Sequence, residues 1–423
     1  MRKKNVCEIP DEYSPMSDGN IIKNCFRFEL ITPMFGGDAE SWQLDLKNPV
    51  RGQSVKGQLR FWWRTMQQET DHKKLLKKEN QLWGGKIDED TQENNRIKSR
   101  VTLSISEYDL KDKNIVSAEM ANNYAVQNDV IPTNVLFPIT KNVKNGENIF
   151  FITKMSFTLN ISYPKSEKNT VLNSLKLWTL FGGIGARTRR GTGSIHCKEL
   201  LDDFVNQSDI ANYISLVSAG EKQPFAYPRM AGATFYATSC TGEPASAWRA
   251  LLENYGRYRQ DRRPGRRPGR SYWPEPDAIR RITGQHSADH QPEHPDGKWF
   301  PRAAFGLPIL TRFNTPNDPG NPRDILLEPD IDGSGERYPS PIILKVIKLV
   351  DGSLVRCALV LNQKFPDRLR LKVDERNIFT IDKKMLPFHD GYQNKKKMRI
   401  GHELNGDSIY ENLANHLNLQ EVK

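Results

Sequence analysis

Between Phe181 and Ser194 the chain carries five glycines and three arginines in one short loop, FGGIGARTRRGTGS. The loop leaves an apolar helix pattern and enters a strand pattern. Glycine-rich nucleotide loops of α/β folds run the other way, from strand to helix, and a Walker A loop needs Gly-Lys-Ser/Thr. Neither condition holds, so both folds are excluded. What remains is a loop whose backbone N–H groups and guanidinium forks suit phosphates. Gly183, Gly185, Gly191 and Gly193 would free the backbone, and Arg187, Arg189 and Arg190 would supply charge.

The pattern around this loop predicts an α+β unit over residues 1–205. Cys25 to Thr32 alternates and is rich in strand formers. Ser54 is placed to cap a helix reaching about Gln68, with Val55, Leu59, Trp62 and Met66 on its apolar face. Arg100 to Ser106 and Ile149 to Ser162 read as strands, Val171 to Phe181 as a helix, and Ser194 to Leu200 as a last strand. That order is the βαββαβ of a ferredoxin-like unit.

Composition then changes. Residues 221–340 hold 15 Arg but 2 Lys, and 16 of the 26 prolines. This predicts long loops around a few elements, such as a helix from Ala245 to Tyr258. Ile342 to Leu361 forms two apolar runs joined by Asp351-Gly352, a hairpin signal. A last helix is expected from about Asp407. Residues 225–423 thus read as a second α+β domain with long insertions.

Charge and cysteine usage narrow the function. Lys+Arg number 62 against 51 Asp+Glu, a net +11, which favours a polyanionic partner. Uncharged apolar stretches such as Leu177 to Ala186 are far short of the roughly eighteen residues of a membrane span. No secretory signal is read at the N-terminus. Five dispersed cysteines suggest reduced thiols in the cytoplasm and make no metal knuckle.

Three further constellations bear on chemistry. In Val50–Arg64 the start of the helix offers unpaired N–H groups to phosphate, and Gly52 and Gly57 would let another backbone approach. Lys56, Arg60 and Arg64 fall at i, i+4, i+8 as a basic ridge, with Arg51 and Ser54 at its foot. A solvated basic face explains that ridge equally simply. Arg257 to Arg270 holds seven arginines, either an arm that orders on RNA or an unstructured insertion. His286, His290 and His294 share helical spacing, but Pro292 and Pro295 argue for a loop. No cofactor or metal motif is found. Asp38 and His196 are the sole candidates for metal-free acid–base cleavage, and each reads more simply as structural.

Ile31-Thr32-Pro33-Met34-Phe35-Gly36-Gly37-Asp38, with Val50 to Arg64, resembles the opening of the first-named RAMP subunit of type III-B (Cmr) CRISPR effector complexes. The helix and loop from Phe181 to Ile195 resemble the RAMP glycine-rich loop. Leu82-Trp83-Gly84, Ser99-Arg100-Val101, Phe305-Gly306-Leu307-Pro308-Ile309 and Ser340-Pro341 are also similar to that family. The resemblance implies two tandem ferredoxin-like (RRM-like) domains with long loop insertions. It implies a non-catalytic RNA-binding subunit of an antiviral complex, near the guide RNA 3′ end, aiding target RNA capture beside other Cmr RAMP subunits. On that reading Arg51, Ser54, Lys56, Gly57, Arg60, Arg64 and the loop residues would touch RNA, and Trp63 would stack on a base. The rival readings are a metal-independent RAMP endoribonuclease and a subunit that meets RNA already held by its neighbours.

Overall fold

The computed structural model describes residues 18–38, 42–86, 96–117, 149–264, 269–294, 299–313, 319–330, 337–373, 378–382 and 408–423. The first unit runs β1 (Ile21–Leu30), α1 (Gly52–Thr65), α2 (His72–Trp83), β2 (Thr102–Asp109), β3 (Ser156–Pro164), α3 (Lys168–Phe181) and β4 (Ile195–His196). All pairings in its sheet are antiparallel, in the order β2-β3-β1-β4. This is the ferredoxin-like plan, with α1 and α3 as the crossovers. The expected final strand is shorter than Ser194–Leu200, because the chain turns into a helical turn at Lys198–Leu201. The helix α2, with Asp71 as its N-cap, was not anticipated.

The plan recurs. After α4 (Gln207–Val217) come β5 (Arg229–Cys240), α5 (Pro244–Gln260), β8 (Ile342–Lys348), β9 (Leu354–Asn362), α7 (Ile409–His416) and β12 (Gln420–Glu421). Their sheet order, β8-β9-β5-β12, repeats that of the first unit. The hairpin turns at Asp351-Gly352, with Gly352 at φ +87°. The last helix is capped by the Ser408 side chain.

Two insertions interrupt this second unit and build a third sheet that the sequence reading lacks. One supplies α6 (Glu275–Thr283), β6 (Ile309–Thr311) and β7 (Ile325–Pro329). The other supplies β10 (Arg368–Lys372) and β11 (Ile378–Asp382). The order is β6-β7-β10-β11, over a small core of Ile279, Phe300, Ile325, Leu327, Leu369 and Leu371. The described residues of the arginine-rich stretch therefore belong to a folded body; 265–268 and 295–298, including Pro295, lie outside the described residues.

The two ferredoxin-like sheets share apolar packing. Trp178 of α3 meets Phe28 of its own sheet at 5.1 Å, while Phe181 of the same helix meets Phe235 of β5 at 5.9 Å. Strand β8 is buried on both faces. Ile343 and Ile347 join the core of the first unit, and Ile342, Leu344 and Val346 face Trp248, Leu251 and Leu252 of α5. A strand covered on both sides needs a near-continuous apolar run, which IILKVIK provides except at Lys345 and the terminal Lys348.

Candidate nucleic-acid interface

The basic ridge on α1 is mostly spent on structure. Arg60 bonds Glu79 of α2 at 2.5 Å and Asn80 Oδ1 at 3.1 Å, and Arg64 lies 3.5 Å from the same carboxylate. Glu79 is buried, so it fixes α2 against α1. Arg51 pairs with Asp38 at 3.4 Å and donates to the Gly37 carbonyl. Lys56 makes no ion pair among the described residues; burial and the Arg60 charge lower its pKa. Trp63 is a core residue, 4% exposed, so its indole is not presented for stacking. Ser54 is no cap. The helix begins at Gly52 with Arg51 in the cap position and no side-chain cap bond. Gly57 has open space where a Cβ would go, so no backbone approaches it.

The glycine-rich loop is held rather than free. Ile184 N–H donates to Gly193 O at 2.9 Å, Ala186 N–H to Phe35 O at 2.7 Å, and Gly193 N–H to Pro33 O at 2.8 Å. Thr32 Oγ1 donates to Gly191 O and accepts from Ser194 N–H. A Cβ on Gly193, at φ +64°, would sit 1.9 Å from Ile184 O. One on Gly183 would sit 2.7 Å from Gly193 O, and one on Gly185 2.6 Å from Phe35 O. The glycines let the loop close on itself and on the segment Ile31–Gly37. That explains why the two motifs occur together: each completes the other's backbone hydrogen bonds.

The three loop arginines diverge. Arg189 donates to the Ser340 carbonyl and lies over the Phe61 ring at 5.5 Å. Arg190 donates to Ile342 O at 3.1 Å and Ser340 Oγ at 3.3 Å, and its own carbonyl accepts from the Trp248 indole at 2.7 Å. Both therefore join the first unit to the second. Burial lowers both pKa values, that of Arg189 to about 10, so Arg189 remains charged at neutral pH. Arg187 is exposed and stands at φ 57°.

Arg187 and Arg190 open onto a groove of about 790 Å³ that also draws on Arg259 of α5, Arg302 and Arg337. Among the described residues no Asp or Glu lines it. Among the described residues, Arg302 alone of the five has a carboxylate partner, Glu275 at 3.2 Å. The floor is built by the two second-half motifs. Leu307 and Tyr338 exchange backbone hydrogen bonds at 2.8 and 3.2 Å, and a Cβ on Gly306 would lie 3.0 Å from Ser340 N. Tyr255 lies in the groove wall. Burial would raise its phenol pKa, but the charges of Arg190, Arg259 and Arg187 outweigh this and hold it below the ordinary value. The groove thus carries an uncompensated positive field, the requirement for holding phosphates.

Other sequence candidates lie elsewhere. His196 is buried, with Nδ1 2.9 Å from Lys348 O; burial and Lys348 keep it neutral by lowering its pKa. His290 and His294 are buried in the insertion body, and among the described residues no three His, Cys, Asp or Glu form a metal-binding group. No described helix is long and apolar enough to cross a membrane. Sequence reading missed Arg302, Arg337 and Tyr255. The available signal was the pair of motifs at Phe305–Ile309 and Ser340–Pro341, next to which both arginines stand.

The family comparison covers the motifs of the first half. Residues 27–196 match the RAMP superfamily model. The chain is 30% identical over 171 residues to the CRISPR system Cmr subunit Cmr1-1 of Pyrococcus furiosus, a match covering 37% of this chain and 44% of that protein. The chain spans less than half the length of this curated relative. Among solved structures, apo Cmr1 of Pyrococcus furiosus aligns over 86% of this chain and 94% of its own, at TM-score 0.47 and 17% identity. A chain of the type III-B Cmr-beta complex bound to cognate target RNA aligns over 81% and 94%, at TM-score 0.44 and 12% identity. The resemblance read from the opening motif and the glycine-rich loop is thus met by an independent match: residues 27–196 carry the RAMP superfamily signature, and the chain is similar to a Cmr1 subunit.

Proposed function

We propose that this protein is a non-catalytic RNA-binding subunit of a type III-B CRISPR (Cmr) effector complex in the cytoplasm, built of two domains over residues 1–205 and 225–423. Beside other Cmr RAMP subunits it holds guide and target RNA near the guide 3′ end and aids target capture. The observation that carries this reading is the acid-free groove, with Arg187, Arg190, Arg259 and Arg337 lacking carboxylate partners among the described residues. The curated relative's name as a Cmr subunit supports the complex. Single-stranded RNA fits the groove because the arginines address phosphates while Phe305, Leu307 and Pro308 offer an apolar floor. Of the loop arginines, Arg187 is the RNA contact, while Arg189 and Arg190 hold the wall in place.

The test is an anisotropy titration of the purified chain with labelled single-stranded RNA across salt concentrations. Each phosphate contact contributes about 0.7 to the slope of log affinity against log salt. Arg187→Ala with Arg337→Ala should lower that slope by roughly 1.4 with little change in base preference. An unchanged slope would move RNA binding away from the groove. The same protein should leave the RNA intact with or without divalent metal. Cutting that disappears on His196→Ala or Asp38→Ala would make it a RAMP endoribonuclease instead.

A further inference from the structure

The groove does not end at strand β6. Beyond that strand lies a second cavity of about 440 Å³, without a lining carboxylate among the described residues, that draws on Arg262, Arg270, Arg280 and Arg312. The two spaces share Gln260, Arg302, Ile309 and Leu310. Strand β6 is therefore a partition between them. It is also the edge strand of the third sheet, and its Leu310 is 48% exposed. A lone exposed leucine means little. Here it stands between two arginine-lined spaces, which is the alternation of cation and apolar ledge that a single nucleic-acid strand requires.

The arginines beyond the ledge differ from those of the groove. Buried Asp277 accepts from Arg270 at 3.1 Å, from Arg280 at 2.9 Å, and from the backbone N–H groups of Glu293 and His294 at 3.0 Å. Burial would raise its pKa, but the backbone bonds and Arg270 outweigh it, so the carboxylate stays ionised. Arg270 is further fixed by Gln291 O at 2.8 Å, and Arg280 by Asn321 Oδ1 at 2.7 Å. Arg270 also pairs with Glu293 at 3.2 Å, so two carboxylates answer the two forks, which offer geometry more than field. At the mouth, Arg262 is exposed and Arg312 pairs with exposed Asp324 at 3.4 Å. Long-range attraction therefore belongs to the groove, and shape-dependent seating to the cavity.

We propose that groove and cavity are one track for single-stranded RNA, with Leu310 as its ledge. Phosphates follow the groove arginines, one base crosses Leu310, and the next nucleotide enters the cavity. The cavity is made from the insertions, which a plain βαββαβ unit lacks, so the track is an addition to the ferredoxin-like plan. This inference rests on the RNA-binding reading above.

Labelled oligouridylates of increasing length, titrated by anisotropy against the full chain, separate the two. Leu310→Glu changes an exposed side chain and should leave the melting temperature unchanged. It should weaken long oligomers by roughly tenfold while the shortest binders keep wild-type affinity. Arg262→Ala with Arg312→Ala should make affinity plateau at a shorter length. If both variants follow the wild type at every length while Arg187→Ala with Arg337→Ala loses affinity, the cavity is not part of the path and the track is refuted. An equal loss at all lengths in Leu310→Glu also refutes it, since that is a general charge effect. If the wild-type chain binds no oligomer at low salt, the RNA reading itself falls and takes the track with it.

Discussion

The Arg190 guanidinium lies 4.8 Å from the centre of the Tyr255 ring, and Arg259 donates to the phenol oxygen of that same tyrosine at 3.1 Å. A tyrosine from α5 thus sits between an arginine of the first unit and one of its own helix. Positive charge on both sides favours the phenolate over the phenol. An ultraviolet difference titration of the wild type against Tyr255→Phe should show a phenol ionising below the ordinary value of about 10. Arg259→Ala should move that midpoint up. A midpoint that does not move would mean the field in the groove is compensated.

Lys345 is buried between the two units and donates to the Gly182 carbonyl, and burial lowers its pKa from 10.5 to about 7. The unfolded chain then holds the extra proton between those values, so stability should rise with pH from about 7 to 10 and be lowest below 7. Lys345→Met should remove that rise. Denaturant titrations of both proteins at pH 6 and pH 9 check this: the variant should gain relative to wild type at pH 6 and lose that advantage at pH 9.

Arg187 holds a left-handed backbone, φ 57° and ψ 30°. A side chain there costs about 1 kcal/mol that glycine does not incur. Arg187→Gly should therefore keep or raise thermal stability while weakening RNA binding. A variant that loses stability would show that the guanidinium is structural, like that of Arg190.

Two glycines of the recognised motifs should respond in opposite ways. Gly193→Ala forces a Cβ to 1.9 Å from Ile184 O and should prevent folding or cost more than about 3 kcal/mol. Gly57→Ala meets open space inside α1 and should stabilise by about 0.5–1 kcal/mol. Paired thermal melts decide the matter, and equal effects would remove the distinction drawn between loop and helix.

Arg60 and Glu79 make a further case, because a ridge arginine is answered by a buried carboxylate on a helix the sequence reading did not include. Glu79→Ala should destabilise by about 2 kcal/mol, since it frees α2 and leaves Arg60 without its main partner. Lys56→Glu, at the same ridge but with no ion pair among the described residues, should change stability by less than about 0.5 kcal/mol. Circular dichroism melts of the two variants would reveal a reversed order if the ridge were solvated throughout.

Local patterns determined much of this protein by themselves. The alternation in Cys25–Thr32, the apolar stripe of α1, the hairpin at Asp351-Gly352 and the helix before the glycine-rich loop each express a period or turn that neighbouring residues impose on one another. Their order gave the first ferredoxin-like unit and an α+β second half, whose ferredoxin-like plan came from the resemblance. The motifs that resemble RAMP proteins also turned out to touch one another: Ile31–Gly37 with the glycine-rich loop, and Phe305–Ile309 with Ser340. What a run of arginines does is not a local property, and tertiary structure decided it. Arg189 and Arg190 look like Arg187 in the sequence, yet carbonyls of residues more than a hundred positions away took their hydrogen bonds. Arg60 and Arg64 share the Glu79 carboxylate of another helix. The third sheet joins two insertions separated by the β8–β9 hairpin, so no single window of sequence contained it. A charge is free or spent according to which carboxylate or carbonyl the fold brings within about 4 Å, and that distance is set by the whole chain.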